Sequence, residues 1–321
     1  MQKILYTLIG LCSVLLFSCN EDTPIGPPLP IEPDYPLPQG NASQVANSRI
    51  QEIYDIYGSY LLYEFTDKDL NWSIASGSSS ALNLLGIKSD PEYVEDMVKL
   101  LDEYWLQYIP DHLLKGKWLP YRVFMADTIK RPRLPASAYS PMQRNENFFS
   151  YNITGMSLAI SGVNIDLRTL DAAEKKSLKN KLQFIAWKYY SDKKIIDVTD
   201  LPEEWDKLAD YTTAVTVANA PSRGFIPQLT VTASSVFNLT APVVFPSGVA
   251  SNWFQSASTR NKENDVFAFI TQITQKTDEE IQPLLDSNPV IRQKYDIIIA
   301  YILEKYGIDI RAIGNANAEI R

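Results

Sequence analysis

DAAEKKSLKNKLQFIAWKYY, residues 171–190, is the stretch on which the fold reading turns. It opens with Asp171 three residues ahead of Glu174. That spacing lets each side chain accept from the other's backbone N–H, with Asp in the place usually taken by Ser or Thr. Leu178, Leu182, Ile185 and Tyr189 then recur at helical spacing, so the stretch reads as a helix with an inward stripe, ending near Tyr190.

Working outward, the same periodicity predicts helices over 264–275 and 289–306. The second is strongly apolar through Ile291, Tyr295, Ile298, Ile299 and Ile302, and Gly307 is placed to cap it. Upstream, Ser89-Asp90-Pro91 opens a helix over 91–109 with Val94, Val98, Leu101, Trp105 and Ile109 facing inward. Residues 45–63 read as one helix through Ile50, Ile53, Tyr54, Tyr57 and Leu61. More helix is expected over 205–217, and loop or short strand over 228–244. Residues 119–129 and 156–165 alternate and are rich in β-formers, which predicts two strands joined by a proline-rich loop. No internal repeat is present. The sum is an α+β chain, mostly helical, forming a single domain with a small sheet.

The N-terminus is of a different kind. Lys3 precedes an apolar run from Ile4 to Phe17, shorter than the roughly 20 residues a helix needs to span a bilayer and proportioned like a secretory signal. It closes on Leu16-Phe17-Ser18-Cys19, which looks like a bacterial lipobox. Cys19 is therefore the expected lipidation site, with residues 1–18 a lipoprotein signal peptide. Residues 19–42 form a proline-rich tether, and 43–321 the globular domain. Glu21 and Asp22 resemble a surface-export signal of Bacteroidetes lipoproteins. The chain is expected at the outer membrane, held by lipid through Cys19 and exposed on the cell surface.

Composition excludes several chemistries. Of two cysteines, Cys12 leaves with the signal, so neither a disulfide nor a thiol nucleophile remains. A net charge of -8 argues against nucleic acid as a partner. The basic run Lys130-Arg131-Pro132-Arg133 reads as an exposed turn. The chain has one histidine, His112, too few for a multi-histidine zinc site, and no G-x-S-x-G elbow supplies a serine for a Ser-His-Asp triad around it. His112 reads as a surface or helix-terminal residue. Asp67-x-Asp69-x-Asn71 starts like a calcium loop, but Trp72 stands where the turn glycine belongs and Ser78 where the bidentate Glu belongs. Ser191-x-x-Lys194 matches a penicillin-recognising pattern without its companion motifs. Among 38 acidic residues, two carboxylates could still perform acid–base hydrolysis, and no pair stands out. The six tryptophans read chiefly as core. Asp127-Thr128-Ile129 resembles a Bacteroidetes O-glycosylation acceptor centred on Thr128.

Five segments, in order, carry a family resemblance: residues 56–65 (IYGSYLLYEF), 119–121 (LPY), 222–226 (SRGFI), 265–269 (DVFAF) and 308–311 (IDIR). The chain resembles, from about residue 48 to 312, the Bacteroidetes lipoproteins called putative zinc-binding metallopeptidases or substrate-import-associated zinc metallohydrolases. The resemblance implies a zincin-like fold and association with TonB-dependent nutrient uptake. It also implies an H-E-x-x-H helix, where two histidines one turn apart hold zinc and Glu activates water. Here that helix offers either Gln183 and Trp187 or Phe184 and Lys188, and neither pair supplies ligands. Of an acidic pair carried by resembling chains, Asp265 remains, with Phe269 in the other place. The expectation is a degenerate member, a pseudoenzyme with no catalytic residue, metal or cofactor. It would bind a glycan, peptide or partner protein beside a TonB-dependent receptor. The alternatives are a peptidase or glycosidase using an unrecognised carboxylate or metal site, and a purely structural transporter subunit.

Overall fold

The structure, a computed structural model, describes residues 33–71, 84–131, 147–149, 151–213, 220–226, 229 and 259–320. The compact unit runs from Leu37 to Arg321. Residues 37–42 belong to it: the Gln39 side chain accepts from Tyr63 N, Gly40 N donates to the Tyr63 hydroxyl, and Ala42 is buried.

Helix α1 (Gln44–Tyr57) starts at Ser43, whose hydroxyl accepts from Ala46 N, and stops at Gly58. Gly58 has φ 69°, the left-handed conformation that glycine enters without a Cβ penalty. The expectation of helix through residue 63 therefore fails at this cap. Beyond it the chain becomes β1 (Tyr60–Leu62), because these three buried residues pair in parallel with β3. Pairing and burial override the helical spacing of Leu61.

After β2 (Leu85–Lys88), a 3-10 turn at Pro91–Tyr93 leads into α2 (Val94–Tyr104), whose predicted face is buried in full. A second 3-10 turn at Leu106–Tyr108 ends the 91–109 segment. β3 (Arg122–Arg131) is the axis of a six-stranded mixed sheet. Its first half lies parallel between β1 and β6 (Ser157–Ile160), and β5 (Tyr151–Thr154) closes that edge antiparallel to β6. Its second half pairs antiparallel with β2 and with β4 (Asn147–Phe149). Among the described residues, the proline-rich loop expected between two strands thus contains two further strands. β6 is shorter than expected because Gly162, at φ 95°, turns the chain so that its N–H reaches Asp127 O. Lys130 and Arg131 end β3 and are not the start of an exposed turn.

Helix α3 (Ala172–Asp192) begins with the reciprocal Asp171–Glu174 cap read from the sequence. Its stripe Leu178, Leu182, Ile185 and Tyr189 is buried, but so are Phe184, Ala186, Trp187 and Tyr190 on its other sides. A helix buried nearly all round lies at the centre of the domain. Of the helix expected over 205–217, the described part, to residue 213, holds one short turn, Glu203–Lys207, and residues 214–217 lie outside the described residues. The Asp210 carboxylate takes the N–H and hydroxyl of Thr212, a local side-chain turn that competes with helix. Residues 228–244 lie outside the described residues, apart from Leu229.

The C-terminal part is helical. α4 (Thr259–Gln275) packs against α3 and is followed by α5 (Asp278–Asp286), capped reciprocally by Thr277 and Glu280. α6 (Pro289–Tyr306) runs from its Asn288 cap to left-handed Gly307. α7 (Ile310–Asn315) lies so close to α4 that a Cβ on Gly314 would run into the carbonyls of Ile273 and Lys276. One α+β domain, mostly helical with a small mixed sheet, results. Among the described residues no helix is long and apolar enough to cross a membrane.

Candidate functional site

On α3 the two candidate pairs face different surroundings. Gln183 and Trp187, one turn apart, point into the core: the Trp187 indole N–H donates to Gln183 Oε1 at 3.0 Å, and the Gln183 amide donates to Tyr104 O. Trp187 meets Trp118 edge to face at 6.4 Å and Tyr190 at 5.5 Å. Tyr190 in turn accepts from the Trp105 indole at 2.7 Å. Every polar atom of the Gln183–Trp187 pair is thereby used, inside a packed aromatic cluster.

Phe184 and Lys188 face the other way. Phe184 is buried between Tyr151 of β5, at 6.3 Å, and Phe267 of α4, at 5.7 Å. Lys188 reaches the surface and pairs with Asp192 at 2.8 Å. Of the four residues, Lys188 alone lines a groove, which has a volume of about 660 Å³ and Phe267 on its wall. The Lys188–Asp192 pair and a second pair, Lys194–Glu263, bring the four lining charges, and Ser191 and Asn264 complete the polar lining.

Zinc does not fit either pair. An indole donates only, an amide already bonded on both sides is no ligand, a phenyl ring has no lone pair, and a lysine ammonium repels a cation. Among the described residues no group of three or more His, Cys, Asp or Glu side chains is gathered as a metal would require.

Asp265 and Phe269 are not part of this groove. They lie on the far face of α4 from Phe267, two residues along a helix reversing the direction of a side chain. Asp265 is fully buried and receives Lys294 Nζ of α6 at 2.6 Å and the Tyr211 hydroxyl at 2.8 Å. The Tyr211 hydroxyl in turn accepts from the Trp205 indole at 2.7 Å. Lys294 also donates to Gly224 O at 3.1 Å, and its ammonium lies 4.3 Å from the Phe225 ring centre and 5.0 Å from that of Trp205. Burial pushes the Asp265 carboxyl above, and the Lys294 ammonium below, their ordinary ranges, each opposed by the other's charge. The sequence carried one signal for this partner: Lys294 stands on the inward stripe of α6, between Ile291 and Ile298.

The remaining motifs resolve into structure. His112 is exposed in a short helical turn, Asp111–Leu113. The Asp69 carboxylate caps Thr66, and Asp67 accepts from Gly86 N, so both serve the local fold; Trp72 and Ser78 lie outside the described residues. Trp105, Trp118, Trp187 and Trp205 are buried, while Trp72 and Trp253 are outside the described residues. Thr128 is 8% exposed, inside β3 opposite Ile87, so a glycan could be attached there only before the sheet closes. Cys19 and residues 1–32 lie outside the described residues. A smaller cavity of about 360 Å³ has Lys179 on its wall, held by Ile313 O and Asn317 Oδ1, and burial pushes this lysine down to about 7.

No family model matches the chain, and no curated protein matches it. Among solved structures, the chain is similar to one described as a putative zinc-binding metallo-peptidase from Bacteroides caccae. The two share 12% identity over 87% of this chain and 94% of that one, with a TM-score of 0.48. Nothing of that protein's zinc binding is carried to this chain by the similarity.

Proposed function

We propose that this chain is an outer-membrane lipoprotein on a metallopeptidase-like scaffold whose zinc site has been replaced by packing. It works without catalysis, as a binding or accessory component beside a TonB-dependent receptor in the uptake of a glycan or peptide. The observation that carries the reading is the pair of one-turn positions on α3. Gln183 and Trp187 bond each other in the core, and Phe184 and Lys188 are a packed ring and a paired cation. The Leu16-Phe17-Ser18-Cys19 run supports lipidation, and the ordered segments 56–65, 119–121, 222–226, 265–269 and 308–311 support the scaffold, both by resemblance.

Lipidation is tested by labelling with radioactive palmitate in a host with bacterial lipoprotein processing. The expected result is a labelled membrane-fraction protein for the native chain and no label for Cys19→Ser. Equal labelling of both proteins, or a native chain found only in the soluble fraction, overturns the anchored reading. Co-purification of a TonB-dependent receptor with the native chain from its own membranes tests the uptake role.

A further inference from the structure

We propose that the groove beside Lys188 and Phe267 binds a neutral carbohydrate, an inference that rests on the non-catalytic binding role above and names its place and ligand class. Three features lead there. The groove's charges are mutually satisfied: Lys188 pairs with Asp192, and Lys194 with Glu263, so no unpaired charge is offered to a charged ligand. Between these pairs stand neutral hydrogen-bonding groups. The Ser191 hydroxyl and the Asn264 amide each line the groove and have no side-chain partner among the described residues. A paired carboxylate keeps lone pairs free to accept from hydroxyls, and an amide can donate and accept at once.

The third feature is a backbone choice. Among the described residues Lys194 is the one non-glycine residue at positive φ, 54°. It sits just past the end of α3, where Lys194 N bonds Ser191 O and Ile195 N bonds Tyr190 O. Glycine is the residue that normally fills such a helix-ending position, because a Cβ there is strained. Here the strain is carried by a side chain whose ammonium meets Glu263 across the groove. A stop signal alone would not need a lysine; a fixed groove wall does. A peptide would ask for apolar side-chain pockets or charges for its termini; the one apolar residue of this lining, Phe267, is buried against Phe184, and no charge is left open.

The test uses the detergent-solubilised mature chain on an array of neutral oligosaccharides, with pentaalanine and hexagalacturonate as the peptide and anionic comparisons, followed by calorimetry. The expected result is saturable binding of a neutral oligosaccharide, weakened about fivefold to tenfold by Asn264→Ala, the loss of one hydrogen bond. Lys194→Gly is expected to weaken the same binding while leaving the thermal midpoint within about 2 °C, since relief of strain offsets the lost ion pair. Leu303→Ala, on an exposed surface of α6, is expected to change nothing. Carbohydrate binding indifferent to both groove variants overturns the site. Binding of pentaalanine or hexagalacturonate in place of neutral sugar, weakened by Asn264→Ala, overturns the ligand class and leaves the binding role standing. No binding of any probe overturns this inference. A stoichiometric zinc in the same preparation would overturn the non-catalytic reading beneath it.

Discussion

Lys294→Met is expected to lower the unfolding free energy by about 3–5 kcal/mol, the cost of stranding a buried carboxylate whose partner has been removed. Asp265 is fully buried, and its Oδ1 has no hydrogen-bond partner among the described residues, so Lys294 and Tyr211 hold its charge through Oδ2 alone. Urea denaturation of the two proteins at neutral pH checks it. The paired change Asp265→Leu with Lys294→Met removes both charges and is expected to recover most of the loss. A single variant as stable as the native chain would mean that the Lys294 ammonium and the Asp265 carboxylate are not paired in solution.

The second large effect belongs to α3. Trp187→Ala is expected to cost about 3–5 kcal/mol, because it opens a cavity among Trp118, Tyr190 and Gln183 and leaves the Gln183 carbonyl oxygen without a donor. Lys188→Ala, one residue further along the same helix, removes an exposed pair with Asp192 and is expected to change stability by less than about 0.5 kcal/mol. The contrast between adjacent positions follows from Trp187 being buried and Lys188 reaching the surface. Thermal and urea unfolding of both variants measures it. Equal, small effects would show that Trp187 is not part of the core, and the space around it would then be open to a ligand.

Much of this was legible in the chain because helices announce themselves locally. The Asp171–Glu174 cap, the Asp90-Pro91 opening and Gly307 each fix an end through groups within a few residues of one another. The stripes of α2, α3 and α6 all turned inward as spaced. Short strands carry no such signal. Tyr60–Leu62 and Ser157–Ile160 are three and four residues long, and what makes them strands is β3 lying alongside. Leu61 kept helical spacing with Tyr57 and still became sheet, since pairing depends on residues some sixty positions away.

The candidate site divides in the same way. That Gln183, Phe184, Trp187 and Lys188 cannot bind zinc is a matter of residue type, visible without a structure. Which pair faces inward is not, because α3 is buried on nearly every side and no single stripe marks the core. Asp265 and Phe269 entered through resemblance, and the structure separates them from the α3 groove: their helix turns them toward Trp205 and Lys294 instead. The groove residues Ser191, Lys194 and Asn264 had no motif to flag them beyond a chance Ser-x-x-Lys. They meet through the packing of α3 on α4, which no local spacing encodes.

The most direct measurement is the metal content of the chain, purified without chelator or affinity metal and analysed by plasma mass spectrometry. The expected result is zinc well below one atom per chain, with an unfolding midpoint that does not move when zinc is added or a chelator is present. One zinc per chain, surviving gel filtration and lost together with stability on chelation, would contradict the proposal that this scaffold works without a metal and that Gln183, Trp187 and Phe184 serve packing.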